Sequence, residues 1–361
     1  MDNDAAGEAN RSSLARADVA AAGERVVRPE FTGSASEYFR IWIVNLFFTL
    51  ITFGIYSAWA KVRKKCYFYG SKRLDGDSFD YFGNPKTILA GRFVAVIVLL
   101  VYAFTIEIYP MSQFAFIGAF LLLLPWLVVR ALTFNARNSA YRGVRFDFLA
   151  TSRQALPVFL GMPLLVGISA GTAYSWFVAR SKTFVVSHHT LGTTRFGCEL
   201  RGRDFFKTYF LSGLMLLVLV IPIGVLMGVY APKLDLPAGI EWLAFVGPLI
   251  LMYASYLAVY AYVQARTINL QWNGTEGPGL QFASTLQARK LMRIYFGNIV
   301  AIAATAGLLI PWAVVRTLRY RLESFSVTAQ GEEIFAANPD LEGVGATGQE
   351  FGDIFNLDLG L

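Results

Sequence analysis

The chain has 361 residues, of which 55% are apolar, 15% aromatic and only 16% charged, with a formal net charge of +7. Soluble domains carry about 25% charged residues, so this composition excludes an ordinary soluble enzyme and makes a membrane the implied solvent. Two cysteines exclude a disulfide scaffold, and two histidines, His188 and His189, exclude a multi-histidine metal centre.

Residues 1–27 are polar and lack apolar periodicity, so they read as a disordered tail without a signal-peptide core. The membrane domain is expected over 28–335. It contains seven apolar segments, at about 41–60, 93–109, 111–129, 155–179, 208–230, 242–263 and 294–315. Each nears the ~20 residues that cross ~30 Å of hydrocarbon. An isolated strand would leave its backbone unpaired in lipid, so all seven are expected to be helices. Pro110 separates the second from the third, and Pro232, Pro237 and Gly239 separate the fifth from the sixth. Those two pairs read as tight helical hairpins.

The chain ends at 336–361 in an acidic tail. From Leu322 onward there are eight acids and no Lys or Arg, which leaves the preceding residues at +15. In a membrane protein such a basic body points to loops facing anionic lipid. No basic soluble stretch is long enough for a nucleic-acid reading.

One step recurs at the ends of the apolar blocks. Trp59–Arg63, Trp126–Arg130, Trp176–Arg180, Tyr262–Arg266 and Trp312–Arg316 are all i, i+4 pairs on one helix face. The aromatic suits the headgroup boundary and Arg snorkels to it, so the pair fits the last turn of a helix leaving the bilayer. Turn residues come next, at Asp75-Gly76, Gly143, Leu191-Gly192, Gly277-Pro278-Gly279 and Gln330-Gly331. Phe79, Phe146, Phe196 and Phe282 each lie sixteen residues after their Arg, and Phe335 nineteen after its own. Alternation around the turns, as in Cys66-Tyr67-Phe68-Tyr69, reads as β-hairpins at about 64–83, 132–149, 182–199, 266–283 and 317–335. A lone hairpin is marginal in water, so the hairpins, with Val26 to Phe31, are expected to pair into one sheet at the membrane surface.

The ends of the chain also match each other. Arg40-Ile41-Trp42, Asn45, Thr52, Gly54 and Trp59 align with Arg293-Ile294-Tyr295, Asn298, Thr305, Gly307 and Trp312 at a constant offset of 253. Gly171, Trp176 and Arg180 give a fainter third copy. The expected fold is a polytopic α-helical membrane protein with internal repeats.

These residues also resemble a known family. Phe31-Thr32-Gly33, the run Tyr38 to Leu46, Gly54-Ile55-Tyr56-Ser57-Ala58-Trp59-Ala60-Lys61-Val62-Arg63, Tyr67-Phe68-Tyr69-Gly70, Pro311 to Arg316 and the ending Phe351 to Leu361 look like the YjgN family of bacterial inner-membrane proteins. The resemblance covers about residues 31–361. It implies a multi-pass protein in the bacterial inner membrane, and it supplies no substrate and no catalytic residue.

Charge and length disagree about sidedness. The hairpin regions between spans are basic, which assigns all five hairpins to the cytoplasm. Full crossing of the three unpaired segments, 41–60, 155–179 and 294–315, would put two hairpins on the far side. The charges favour segments that dip in and return, breaking near Gly54, Gly171 and Gly307. Labelling of Cys66 and Cys198 from one side or from two would discriminate.

No catalytic constellation is visible, and no metal or cofactor is expected. His188 and His189 would point to opposite faces of a strand and read as a solvated hairpin edge. Glu107 is the only carboxylate within a span, and it lies at the outer edge. That weakens a proton-coupled transporter, which needs buried ionisable groups at mid-depth. Candidate ligand-binding residues are therefore Arg63, Arg130, Arg180, Arg266 and Arg316 on a basic shelf that also holds Lys64, Lys65, Arg73, Arg145, Arg201 and Arg203, with Asn45 and Asn298 at equivalent polar positions. Trp59, Trp126, Trp176, Tyr262 and Trp312 are the candidate interfacial anchors. The expected function is non-enzymatic binding or movement of a lipid or small amphipath, with anionic headgroups as partners. The alternatives are a secondary transporter with a site between the end repeats and a lipid-modifying enzyme. The acidic tail is expected to dock on the shelf.

Overall fold

A computed structural model describes residues 25–330, except 231, 232, 234–236, 238 and 241. The chain starts with strands β1 (Arg25–Val27) and β2 (Glu30–Phe31), so the last residues of the expected disordered tail are paired backbone. The helices are α1 (Ala35–Ile51), α2 (Ser57–Gly70), α3 (Pro85–Ile108), α4 (Ser112–Arg137), α5 (Ser152–Ile168), α6 (Tyr174–Ser187), α7 (Gly202–Tyr230), α8 (Leu243–Asn273), α9 (Ala288–Ala304) and α10 (Ile310–Glu323). Between them lie β3 (Lys72–Leu74), β4 (Asp77–Tyr81), β5 (Ser139–Tyr141), β6 (Val144–Phe148), β7 (His189–Leu191), β8 (Thr194–Arg195), β9 (Gly197–Cys198), β10 (Thr275–Gly277) and β11 (Leu280–Ser284). Strand β12 (Phe325–Ala329) comes after α10.

Four helices are long and apolar enough to cross a membrane: α3, α4, α7 and the stretch Ala244–Asn273 of α8. The other three apolar segments are helix pairs broken at Gly54, Gly171 and Gly307. Each break has the same hydrogen bonding. The Gly N–H reaches back five residues, to Thr49 O (2.8 Å), Val166 O (2.8 Å) and Ile302 O (2.9 Å). The hydroxyls of Thr52, Ser169 and Thr305, two residues earlier, accept from the N–H groups of Tyr56 (2.9 Å), Ala173 (3.1 Å) and Leu309 (3.2 Å). This is a Schellman-type stop whose hydroxyl starts the next helix. Both linking residues take positive φ, and Phe53, Ala170 and Ala306 do so without being glycine, at a cost of ~1–2 kcal/mol each. Three packed, oppositely running half-helix pairs result.

Side chains fix the other helix starts. Ser34 with Glu37 and Thr151 with Gln154 form capping boxes. Asn84 caps α3 ahead of Pro85 at its first position.

The helices run further than the aromatic pattern suggests. Helices α2, α4, α6, α8 and α10 each end seven residues after their Arg, at Gly70, Arg137, Ser187, Asn273 and Glu323. The Trp–Arg pairs therefore lie about two turns before the helix ends, not in the last turn. Cys66 to Tyr69 belong to α2, and the hairpins are correspondingly shorter than expected. Phe68 packs with Tyr38 and Val315 in a core, a role a helix face fills as well as a strand does. The turns fall at the expected residues. Asp75-Gly76 and Arg142-Gly143 take the two positive-φ positions of two-residue hairpins. The second strand expected after Gly331 lies outside the described residues, and β12 pairs with β1 and β11.

Instead of the single sheet expected, the strands form two, ordered β1-β12-β11-β10-β9 in one antiparallel sheet and β2-β3-β4-β5-β6-β7-β8 in the other. Only Arg28-Pro29 separates β1 from β2, and only Phe196 separates β8 from β9. The order is therefore cyclic, with Val26 opposite Thr328 where the chain's two ends meet. Arg25 also pairs with Asp75 across the two sheets. The helices trace the same circuit. Successive helices pack, and α10 returns to α1. All described strands lie at one end of the helices.

Candidate functional site

The strand ring and the adjoining helix ends enclose a chamber of about 1760 Å³. Ligand pockets usually span ~300–1,000 Å³, so there is room for more than a small solute. Its apolar wall comes from around the ring. Phe79, Phe146, Phe196 and Phe282, the residues sixteen positions after each Arg, all line it, with Phe325 and Val327 from β12. Phe335 lies outside the described residues.

The polar wall is strongly one-signed. Among the described residues it carries Arg25, Lys61, Lys64, Lys65, Lys72, Arg142 and Arg321 against one acid, Asp75. Asp75 is already engaged by Arg25 and by Arg142 at 3.0 Å. Lys61, Lys64 and Lys65 are i, i+3 and i+4 on α2, so one helix face presents all three. Lys65 Nζ donates to Asn135 Oδ1 at 2.9 Å, and Arg321 donates to the Tyr295 hydroxyl at 3.1 Å. Lys72 stands over the Tyr69 ring at 5.5 Å. In the sequence Lys64 and Lys65 belong to the expected basic shelf, while Lys61 and Lys72 serve only as a sidedness signal. The helical spacing of Lys61, Lys64 and Lys65 is the clue to a shared face.

Of the candidate residues read from the sequence, Asn298 lines the chamber, as do Lys64 and Lys65 of the expected shelf. Its amide donates to Ala313 O at 3.3 Å and Thr317 Oγ1 at 2.9 Å, and its Oδ1 accepts from Arg316 at 3.4 Å. Asn45 is buried, and its Oδ1 has no hydrogen-bond partner. Arg130 lies over Trp126 (5.6 Å) and Arg316 over Trp312 (4.9 Å). Arg63 reaches the Tyr56 hydroxyl at 3.3 Å. Arg180 and Arg266 are exposed, as are Trp126 and Trp176, while Trp59, Tyr262 and Trp312 are half-buried. The five arginines are distributed around the helices outside the chamber.

The histidines are not a solvated edge. Helix α6 runs through Ser187, so His188 caps it, with Nδ1 against Phe184 O at 2.8 Å. His189 opens β7, is 5% exposed and sits with Nδ1 against Val185 O at 2.6 Å. Both rings pack on Phe148. Among the described residues no three His, Cys, Asp or Glu side chains converge.

A second polar cluster lies nearby. Lys182 Nζ donates to Gln271 Oε1 at 2.5 Å, and Thr275 Oγ1 contacts Cys198 Sγ at 3.7 Å. Burial pushes the Lys182 amine down to about 8 and the Cys198 thiol up. The unfolded lysine holds its proton to about pH 10.4, so above pH 8 the unfolded chain binds more protons and stability rises with pH. In detergent, the melting midpoint is expected to climb between pH 7 and pH 9.5. In Lys182→Met the climb over this window is expected to lose the ~2 kcal/mol of stability that deprotonation of the buried amine supplies there. An identical pH slope in the variant would contradict this.

Residues 27–354 match the family model described as bacterial protein of unknown function, DUF898. The chain is 24% identical to the inner membrane protein YjgN of Salmonella typhimurium over 361 residues, covering 86% of this chain and 90% of that protein. It is 30% identical to YjgN of Escherichia coli O157:H7 and 29% to YjgN of strain K12, each over 149 residues, 40% of this chain and 36% of theirs. No solved structure matches it. The chain thus belongs to the DUF898 family of bacterial proteins, among which it is similar to the YjgN inner membrane proteins.

Proposed function

We propose that this is an inner-membrane protein whose strand ring sits against the cytoplasmic face of the bilayer and whose chamber binds an anionic amphipath. The observation that carries the reading is the chamber wall itself: seven basic side chains and one acid beside an aromatic ring of wall residues. Phosphate or carboxylate satisfies the cations, and an acyl or other apolar portion covers the phenylalanines.

Helix α3 supports lateral entry. Val96 to Val101 are each 50–64% exposed, and six consecutive helical residues cover every face. Lipid can therefore surround this stretch on both sides of the helix ring. The three broken pairs read as re-entrant copies of one unit, with Trp–Arg pairs anchoring the surface around them. The basic hairpin regions assign the strands to the cytoplasm by the positive-inside rule.

The test compares phosphatidylglycerol with phosphatidylcholine binding to the purified protein. Near a membrane each lysine contributes ~1 kcal/mol toward an anionic headgroup. Lys61→Gln with Lys64→Gln and Lys65→Gln is therefore expected to weaken phosphatidylglycerol binding about a hundredfold, leaving phosphatidylcholine unchanged. Equal affinity of the parent protein for the two lipids would remove the proposal.

A further inference from the structure

We infer that residues 331–361 of the same chain occupy the chamber as an internal competitor of its ligand. This rests on the anionic-amphipath reading above and adds regulation to that site. Three observations carry it.

The chain is handed over at the chamber. Val327 and Ala329 of β12 line it, and the next residue, Gln330, donates its N–H to Gly279 O at 2.8 Å. Gln330, the last described residue, therefore lies at the strand ring beside the chamber.

The charges are complementary. Residues 331–361 hold Glu332, Glu333, Asp340, Glu342, Glu350, Asp353 and Asp358 and no Lys or Arg. Seven basic side chains line the chamber; Arg25 and Arg142 are engaged with its one acid, Asp75, and Arg142 also with Asp77.

The apolar pattern also fits. Phe351, Ile354, Phe355, Leu357 and Leu359 interleave with Asp353 and Asp358, so one short stretch offers the same two chemistries as an anionic amphipath. The reach is ample. A coil of twenty residues, the number from Gln330 to Glu350, has a root-mean-square span of ~25 Å. A tethered segment presents itself at an effective concentration on the order of 1 mM. Even ~0.1 mM affinity for the chamber then reduces ligand binding about tenfold.

The test uses the full chain in phosphatidylcholine nanodiscs. Phe355 is replaced by p-benzoylphenylalanine, irradiated, and its adducts are mapped by mass spectrometry. Adducts on chamber residues such as Tyr69, Phe79 or Leu318 are expected. Adducts confined to the outer helix surface or to a second copy overturn the inference. Separately, deleting 336–361, or combining Glu350→Gln, Asp353→Asn and Asp358→Asn, is expected to raise phosphatidylglycerol affinity about tenfold at an unchanged melting midpoint. Chamber adducts with unchanged lipid affinity overturn the competition. Chamber adducts with no phosphatidylglycerol binding in any variant leave the tail seated there and remove the lipid reading instead, so the two failures are distinguishable.

Discussion

Replacing Arg137 with Met is expected to lower the unfolding free energy by about 3 kcal/mol. Asp147 is 5% exposed, and Arg137 Nε donates to its Oδ1 at 2.8 Å. The same oxygen accepts from Phe148 N at 2.7 Å. The pair ties the end of α4 to β6 at the seam where Phe148, Phe159 and Phe184 pack. Removing one partner of a buried pair strands the other and costs ~3–5 kcal/mol. The low end applies because the Arg137 side chain keeps 26% of its surface in solvent. The double variant Arg137→Met, Asp147→Leu leaves no stranded charge and is expected to recover most of the loss. Denaturant or thermal unfolding in detergent checks both. A double variant no more stable than Arg137→Met would mean that the orphaned carboxylate is not the cause.

The second expectation is all-or-none. Four spanning helices and three returning pairs put every strand on one side of a membrane, whereas seven full crossings would split the hairpins. The pairings Phe148↔His189 and Phe282↔Val327 join hairpins that full crossing separates. Cys198 is buried and a poor reporter. In a Cys198→Ala background, exposed Cys66 and an Arg195→Cys variant are expected to react with an impermeant thiol reagent in inverted vesicles and not in intact cells. Met111→Cys, in the exposed turn between α3 and α4, is expected to show the reverse. Labelling of Cys66 and Arg195→Cys from opposite sides would break the one-sided arrangement.

The breaks at Gly54, Gly171 and Gly307 are legible in the sequence because lysines and arginines constrain sidedness even where hydropathy suggests a full span. The hairpin turns are legible because Asp-Gly and Pro-Gly state their backbone requirements locally. Helix length past each Arg is not. Cys66 to Tyr69 alternate aromatic and smaller residues, and over four residues period two cannot be told from a helix packed on several sides. His189 departs from its expected place for the same reason, since one extra helical turn carries it from an edge into the core. Closure of the ring is invisible in the sequence, because β1 and β12 find each other across about 300 residues. The chamber depends on that closure. Its phenylalanines stand out in the sequence only as repeat markers, and its lysines as topology signals and members of a surface shelf, because it takes the closed circuit to turn them to a common interior.

That closure has a consequence for biosynthesis. The arc from β2 to β8 can assemble progressively as the polypeptide emerges, since each new ribbon pairs with the one made just before. The seam cannot form until residues 325–329 leave the ribosome. Until then the β1 and β11 edges carry unpaired backbone groups, the kind of surface that recruits foreign strands. A nascent chain stalled just short of Phe325 is thus the most sticky species this polypeptide passes through, and the last strand acts as the clasp.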